Sequence, residues 1–247
     1  MKLLFNISYL GKNYFGFQKQ INQISIQEVL EKTLSLYFNE SIQIYASGRT
    51  DRGVNAFGQT FHIEISNRKI IYSKLLYSLN CLLPFDIKIN SIKKVKDDFH
   101  ARFSAKAKIY EYHVYLDSKN PFLNDFCYLC KYNLDIKKMK EAAKKFVGNF
   151  NFQNFTSKEE DELNYVREIY SLSLKIDTKD NKHLIFVFKG NGFMRYMIRY
   201  IVGTLIEIGR NKIDENFILD NLDNKKERHI ISYKVPAQGL FLKKVIY

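Results

Sequence analysis

The sequence predicts an α+β fold: two tandem β-α-β-β-α-β (ferredoxin-like) halves, residues 1–104 and 105–247, with antiparallel sheets, helices on one face and a cleft between the halves for a functional site. Two observations predict this. The same order of period-two and period-3.6 apolar patterns occurs twice along the chain. Apolar residues make up 46% of the 247, with 20 Phe and 17 Tyr, so a large core can form, and with only three prolines and no low-complexity tract the halves are expected to pack without a long tether.

In the first half, residues 2–10 read as a strand. A helix then opens at the capping box Ser25-Ile26-Gln27-Glu28, with Ile26, Val29, Leu30, Thr33, Leu34 and Tyr37 forming one stripe. Strands are predicted over 41–47 and 57–65, the second by the alternation of Phe61, Ile63 and Ile65 with polar residues. A helix over 70–82 stops before Pro84, and a strand follows over 86–96.

The second half repeats the order. A strand over 107–116 precedes a helix capped by Asp135, with Met139, Ala142, Ala143 and Phe146 inward and Gly148 as its stop. Strands over 165–177 and 183–189 lead to the strongest helical pattern of the chain, Met194, Met197, Ile198, Ile201, Val202 and Leu205, ending at Gly209. A short polar helix over 214–223 and a strand over 239–247 close the chain.

Charge and cysteine content narrow the function classes. The formal net charge is +13, the electrostatic footprint of a nucleic-acid binder, although a lysine-rich surface arising from a biased genome gives the same excess. No run of 18 apolar residues is present, so no transmembrane helix is expected, and the N-terminus reads as a strand instead of a signal peptide. Three cysteines suggest a reducing cytosol. Cys127 and Cys130 form a C-x-x-C with no second ligand pair, which reads as two small buried residues, redox or metal chemistry being the alternative.

The segment Gly48-Arg49-Thr50-Asp51-Arg52-Gly53-Val54-Asn55 places one carboxylate between two arginines in a glycine-punctuated turn. Neighbouring positive charge favours an ionised carboxylate, so Asp51 is a candidate nucleophile or base; a salt-bridged turn residue is the plainer reading. Three more motifs stand in order with it: Gly11-Lys12-Asn13-Tyr14-Phe15-Gly16-Phe17-Gln18, then Asp98-Phe99-His100-Ala101-Arg102-Phe103-Ser104-Ala105 running into Tyr110, then Met197-Ile198-Arg199-Tyr200-Ile201-Val202-Gly203. On these four segments the chain resembles, along nearly its full length, the TruA family of tRNA pseudouridine synthases.

The resemblance implies the isomerisation of uridine to pseudouridine in the anticodon stem-loop of tRNA, at positions 38, 39 and/or 40, by a cytoplasmic homodimer needing neither cofactor nor metal. It implies Asp51 as nucleophile, in the half 1–104, with Tyr110 and Arg199 as its catalytic partners in the half 105–247. Arg199 matches the arginine that pairs with the carboxylate, and Tyr110 the tyrosine that stacks on uracil; without the resemblance Arg199 reads more readily as a surface arginine on an amphipathic helix and Tyr110 as a core or rim residue. Arg49, Arg52, Arg102 and Gln59 are the expected substrate contacts, with Arg195 as a further phosphate contact. Whether attack falls on ribose C1′ or on the uracil ring stays open. So do a non-catalytic tRNA-binding or folding chaperone, and a synthase for another RNA position.

Three departures from the family pattern accompany the match. Asn55 stands where the family has His, and Phe17 where it has Trp. The turn Val235-Pro236-Ala237-Gln238-Gly239-Leu240 lacks one of the family's prolines, a change expected to concern turn stiffness and not chemistry.

Overall fold

The computed structural model describes residues 1–157, 164–222 and 229–247. In chain order its elements are β1 (Lys2–Tyr9), α1 (Ile26–Phe38), β2 (Tyr45–Ala46), β3 (Asn55–Glu64), α2 (Tyr72–Leu82), β4 (Ile87–Val95), β5 (Ala107–Tyr115), β6 (Tyr128–Leu129), α3 (Ile136–Lys144) and β7 (Gly148–Asn151). After a 3₁₀ turn at Gln153–Phe155 come β8 (Val166–Ile176), β9 (His183–Gly190), α4 (Met197–Gly209), α5 (Asn216–Leu222) and β10 (Leu240–Ile246). The α+β class is as the sequence predicts. The chain forms two compact units, Met1–Lys106 with Phe241–Tyr247, and Ala107–Leu240.

In the first unit the strand order is β4-β1-β3-β10. The pairs β1–β4 and β1–β3 are antiparallel, whereas β10 runs parallel to β3, with Phe241 opposite Asn55. That parallel pair departs from the all-antiparallel expectation: the last strand joins the first unit's sheet. The predicted strand over 41–47 shrinks to two residues against β3, although Ile42 and Ile44 are buried without a ladder. In α1 the predicted cap forms: the Ser25 hydroxyl accepts from Glu28 N at 3.2 Å. The buried face of α1 ends on Phe38 instead of Tyr37, which is exposed. Nearly all of β3 is buried, including Gln59, Thr60 and His62, so it lacks the clean in–out alternation read from the sequence.

In the second unit the order is β5-β9-β8-β7, antiparallel throughout, with β6 pairing parallel to β5. The cap on α3 is Asp135, which accepts from Lys138 N at 3.0 Å, and Met139, Ala142 and Ala143 face inward as predicted. The helix ends a turn before Gly148, which instead begins β7. Helix α4 starts at Met197, and every one of its residues except Arg199 and Glu207 is buried, more than the single stripe the pattern suggests. Residue 223, the last of the predicted short helix, lies outside the described residues. No helix among the described residues is long and apolar enough to cross a membrane.

Candidate active site

Asp51 is half-buried at a turn between β2 and β3, closed by Val54 N donating to Asp51 O at 3.1 Å. The turn is pinned from two sides. Behind it, the fully buried Gln59 accepts from Ser47 Oγ at 2.6 Å and from Thr60 N at 3.0 Å, while its Nε2 donates to Gly48 O at 2.9 Å. In front, the segment 11–17 lies against it. Phe17 N donates to Thr50 O at 3.0 Å, Gly11 N donates to Asn55 Oδ1 at 2.8 Å, and Tyr9 and Thr50 share a hydroxyl–hydroxyl bond of 2.8 Å. Two glycines make the close approach possible. A Cβ on Gly11 would stand 2.2 Å from Val54 O, and one on Gly16, whose φ is +89°, would stand 2.8 Å from Thr50 O. The same segment is tied to the start of α1 through Gln27 N to Phe17 O and Ile26 N to Gly16 O. The carboxylate therefore rides on a loop fixed by directional bonds to β1, β3 and α1.

Electrostatics around the loop keep its hydroxyls un-ionised. Burial pushes Tyr9 upward from the ordinary phenol value, opposed by its bonds to Thr50 and Gln59. Tyr14 is pushed upward by burial and by Asp86, to which its hydroxyl donates at 2.5 Å. His62, buried under the motif that holds Arg102, accepts from Ala101 N, and burial together with the His100 and Lys2 charges lowers it to about 4.

In the second unit, Tyr110 sits on β5 opposite Phe188, buried, with its ring edge-on to Phe193 at 5.3 Å. Arg199 leaves the first turn of α4 half-buried and donates from Nε to Val235 O at 2.8 Å. Tyr112, two residues from Tyr110 and therefore on the same face of β5, donates its hydroxyl to Pro236 O at 2.7 Å. Burial drives Tyr112 well up, with the Arg199 charge opposing, so Arg199 is close enough to be felt there. The turn at 235–236 thus holds both the arginine and the strand that carries Tyr110. Reading it as a stiffness feature alone missed this role, because nothing in Val-Pro announces that its carbonyls are acceptors for residues 36 and 124 positions away.

The profile of the tRNA pseudouridine synthase family matches residues 6–104 and 142–247 of the chain. The tRNA pseudouridine synthase A of Bacillus licheniformis is 39% identical over 251 residues, covering 100% of this chain and 99% of that protein. Those of Listeria monocytogenes serotype 4a and of Thermoanaerobacter sp. strain X514 are 37% identical over 243 residues, 98% of this chain and 97% of each relative.

The chain belongs to the tRNA pseudouridine synthase family.

It is thereby placed among isomerases. A chain of a solved Cbf5-Nop10-Gar1 complex shows a TM-score of 0.37 at 12% identity, over 83% of this chain and 45% of that one, a likeness too slight to add to the family match.

With the family in hand, each residue singled out from sequence has a location. Arg49 and Arg52 are exposed on the Asp51 turn, the Arg52 guanidinium lying 4.2 Å over the Phe15 ring. Arg102 is exposed on a separate turn, 5.7 Å over the outward Phe103 ring. Gln59, expected at the substrate, is 0% exposed with its amide committed to the loop, so the structure gives it a scaffolding task. Asn55, in the family's His position, is buried and supplies the acceptor for Gly11 N. Phe17, in the family's Trp position, is core beside Tyr9, as is Tyr14, while Phe15 lies half-buried under Arg52. Cys127 and Cys130 are buried free thiols; burial raises Cys127 to about 11 and Cys130 upward, which keeps both protonated. Among the described residues no three His, Cys, Asp or Glu side chains are placed to hold a metal.

Proposed function

We propose that this chain isomerises uridine to pseudouridine in the anticodon stem-loop of tRNA, at positions 38, 39 and/or 40, with Asp51 as the nucleophile. The observation that carries this reading is the doubly pinned turn that holds the half-buried Asp51 in a chain of this family. The reaction needs no redox partner or group donor: the N1–C1′ bond breaks, the base turns, C5 bonds to C1′, and the C5 proton is lost while N1 regains one. Asp51 supplies the electron pair that holds the divided substrate between those steps. Tyr110 presents a ring for the uracil to stack on, and its hydroxyl takes part in removing the C5 proton; Arg199 completes the catalytic set. Arg49, Arg52, Arg102 and Arg195, all exposed, hold phosphates of the extruded nucleotide, and the net charge of +13 supplies much of the affinity. The protein works in the cytoplasm as a homodimer.

The test is an unmodified tRNA transcript incubated with the protein and mapped by carbodiimide labelling and primer extension. Wild type is expected to mark the anticodon arm. Asp51→Ala is expected to lose turnover entirely while binding tRNA within about threefold of wild type, since one half-exposed carboxylate adds little to a contact dominated by cations. Marks elsewhere in the RNA overturn the substrate assignment. Tight binding without any mark from wild type favours a tRNA-folding chaperone.

A further inference from the structure

Tyr196 precedes the first turn of α4 with φ 63° and ψ 0°, in the left-handed region. Among the described residues, the other non-glycine positions with positive φ are Asn22, Asn39 and Asn211, all of the type that tolerates this backbone. A tyrosine gains no such tolerance, so its ring is kept here against a local conformational preference. Its side chain does not cap the helix, because no side-chain hydrogen bond closes the N-terminus of α4.

What the ring does is visible in its surroundings. The guanidinium carbons of Arg195 and Arg199 each lie 4.9 Å from its centroid, and Lys234 Nζ lies 4.4 Å away. Three cations are thus drawn to one quadrupole, and Arg195 also donates to the hydroxyl at 3.1 Å. For Arg199 the ring supplies a second constraint. The bond from Nε to Val235 O fixes one edge of the guanidinium but leaves it free to swing about that bond. A ring against the guanidinium removes that freedom.

We infer that Tyr196 is a positioning residue, whose left-handed backbone presents its ring to Arg199 and so aims the guanidinium. The inference rests on Arg199 belonging to the catalytic set. It accounts for the outlier: a standard helix entry at residue 196 would point the ring elsewhere, and an asparagine would satisfy the backbone but leave the arginine held by one bond.

Four variants test it: Tyr196→Asn, Tyr196→Gly, Tyr196→Phe and Arg199→Lys, each assayed for single-turnover pseudouridine formation, tRNA affinity and thermal unfolding. Asn and Gly suit the left-handed backbone, so both are expected to unfold at or above the wild-type temperature while reacting about tenfold or more slowly, with affinity within about threefold. Phe keeps the ring and is expected to react within about twofold of wild type. A normal rate in Tyr196→Asn beside a slow Arg199→Lys overturns the inference and leaves Arg199 in place. A normal rate in Arg199→Lys removes Arg199 from the catalytic set and the inference with it. Lowered unfolding temperatures in both Tyr196→Asn and Tyr196→Gly make the ring a packing element and overturn it as well.

Discussion

Asp51 rides on a turn whose immediate supports are hydrogen-bonding groups: Gln59, Thr50, Asn55 and the backbone of 11–17. Arg199 rises instead from a helix in which every other residue but Glu207 is buried, most of them apolar. The two anchoring schemes differ in what they determine. Hydrogen bonds are directional, so a few of them fix the orientation of a loop with little burial. Apolar burial fixes where a helix lies but is non-directional, and it says nothing about where a protruding guanidinium points. In the second unit the Val235 carbonyl and the Tyr196 ring therefore supply the aim that burial of the helix does not.

The contrast is most open to attack at the helix. Leu205 is fully buried, and Leu205→Ala is expected to cost about 2–5 kcal/mol in chemical denaturation. If packing locates the helix without aiming the arginine, turnover of the folded variant at low temperature stays within about threefold of wild type. A hundredfold loss in a folded variant would show that packing also aims it, and the distinction would collapse.

In the loop the expected pattern is reversed, with a smaller stability cost and a larger catalytic one. Gly11→Ala brings a Cβ against Val54 O, and overpacking of this kind costs about 1–3 kcal/mol. Because the displaced atoms belong to the Asp51 turn, turnover is expected to drop about a hundredfold in protein that still unfolds cooperatively. Unchanged turnover would mean that the turn tolerates a shift of its front support.

The smallest effect separates the units by pH. Folded His62 stays neutral down to about pH 4, held there chiefly by burial, whereas the free side chain takes a proton near 6.5. Protonation thus favours the unfolded chain in that window: stability is complete above about pH 6.5 and declines as the pH falls toward 4. In the second unit His183 is also lowered, by burial first and then by His113, whose Nδ1 lies 2.9 Å from its Nε2. Melting curves between pH 7 and 4 are expected to fall by several degrees, roughly 1–2 kcal/mol, and His62→Phe should flatten part of that decline. An unchanged slope in that variant would assign the acid sensitivity to the second unit.

The outcome for individual residues follows the same division. Capping chemistry was legible in advance at Ser25 and Asp135, because a cap is a contact across three residues. The apolar spacing of α4 was legible too, since Met194, Met197, Ile198, Ile201, Val202 and Leu205 recur three and four residues apart. The motif singles out Gln59, but only the fold shows it buried behind the loop, because a sequence motif marks that a residue is constrained without saying by what. The role of Val235 and Pro236 was illegible for the opposite reason: any residue has a carbonyl, so a backbone acceptor leaves no trace in residue type.

By itself the sequence determined the α+β class, the places of most helices and strands, the family, and the turn that carries Asp51, all of which depend on periodicity, caps, glycines and short motifs. Tertiary structure alone decided that the last strand runs parallel to β3, that α4 is buried nearly all round, and that a tyrosine in a left-handed turn and a carbonyl 36 residues away hold Arg199. The physical reason is range. Local preferences act within one turn of helix or one hairpin and are written in neighbouring letters, whereas strand choice and side-chain aim arise from groups that meet only when the chain has folded.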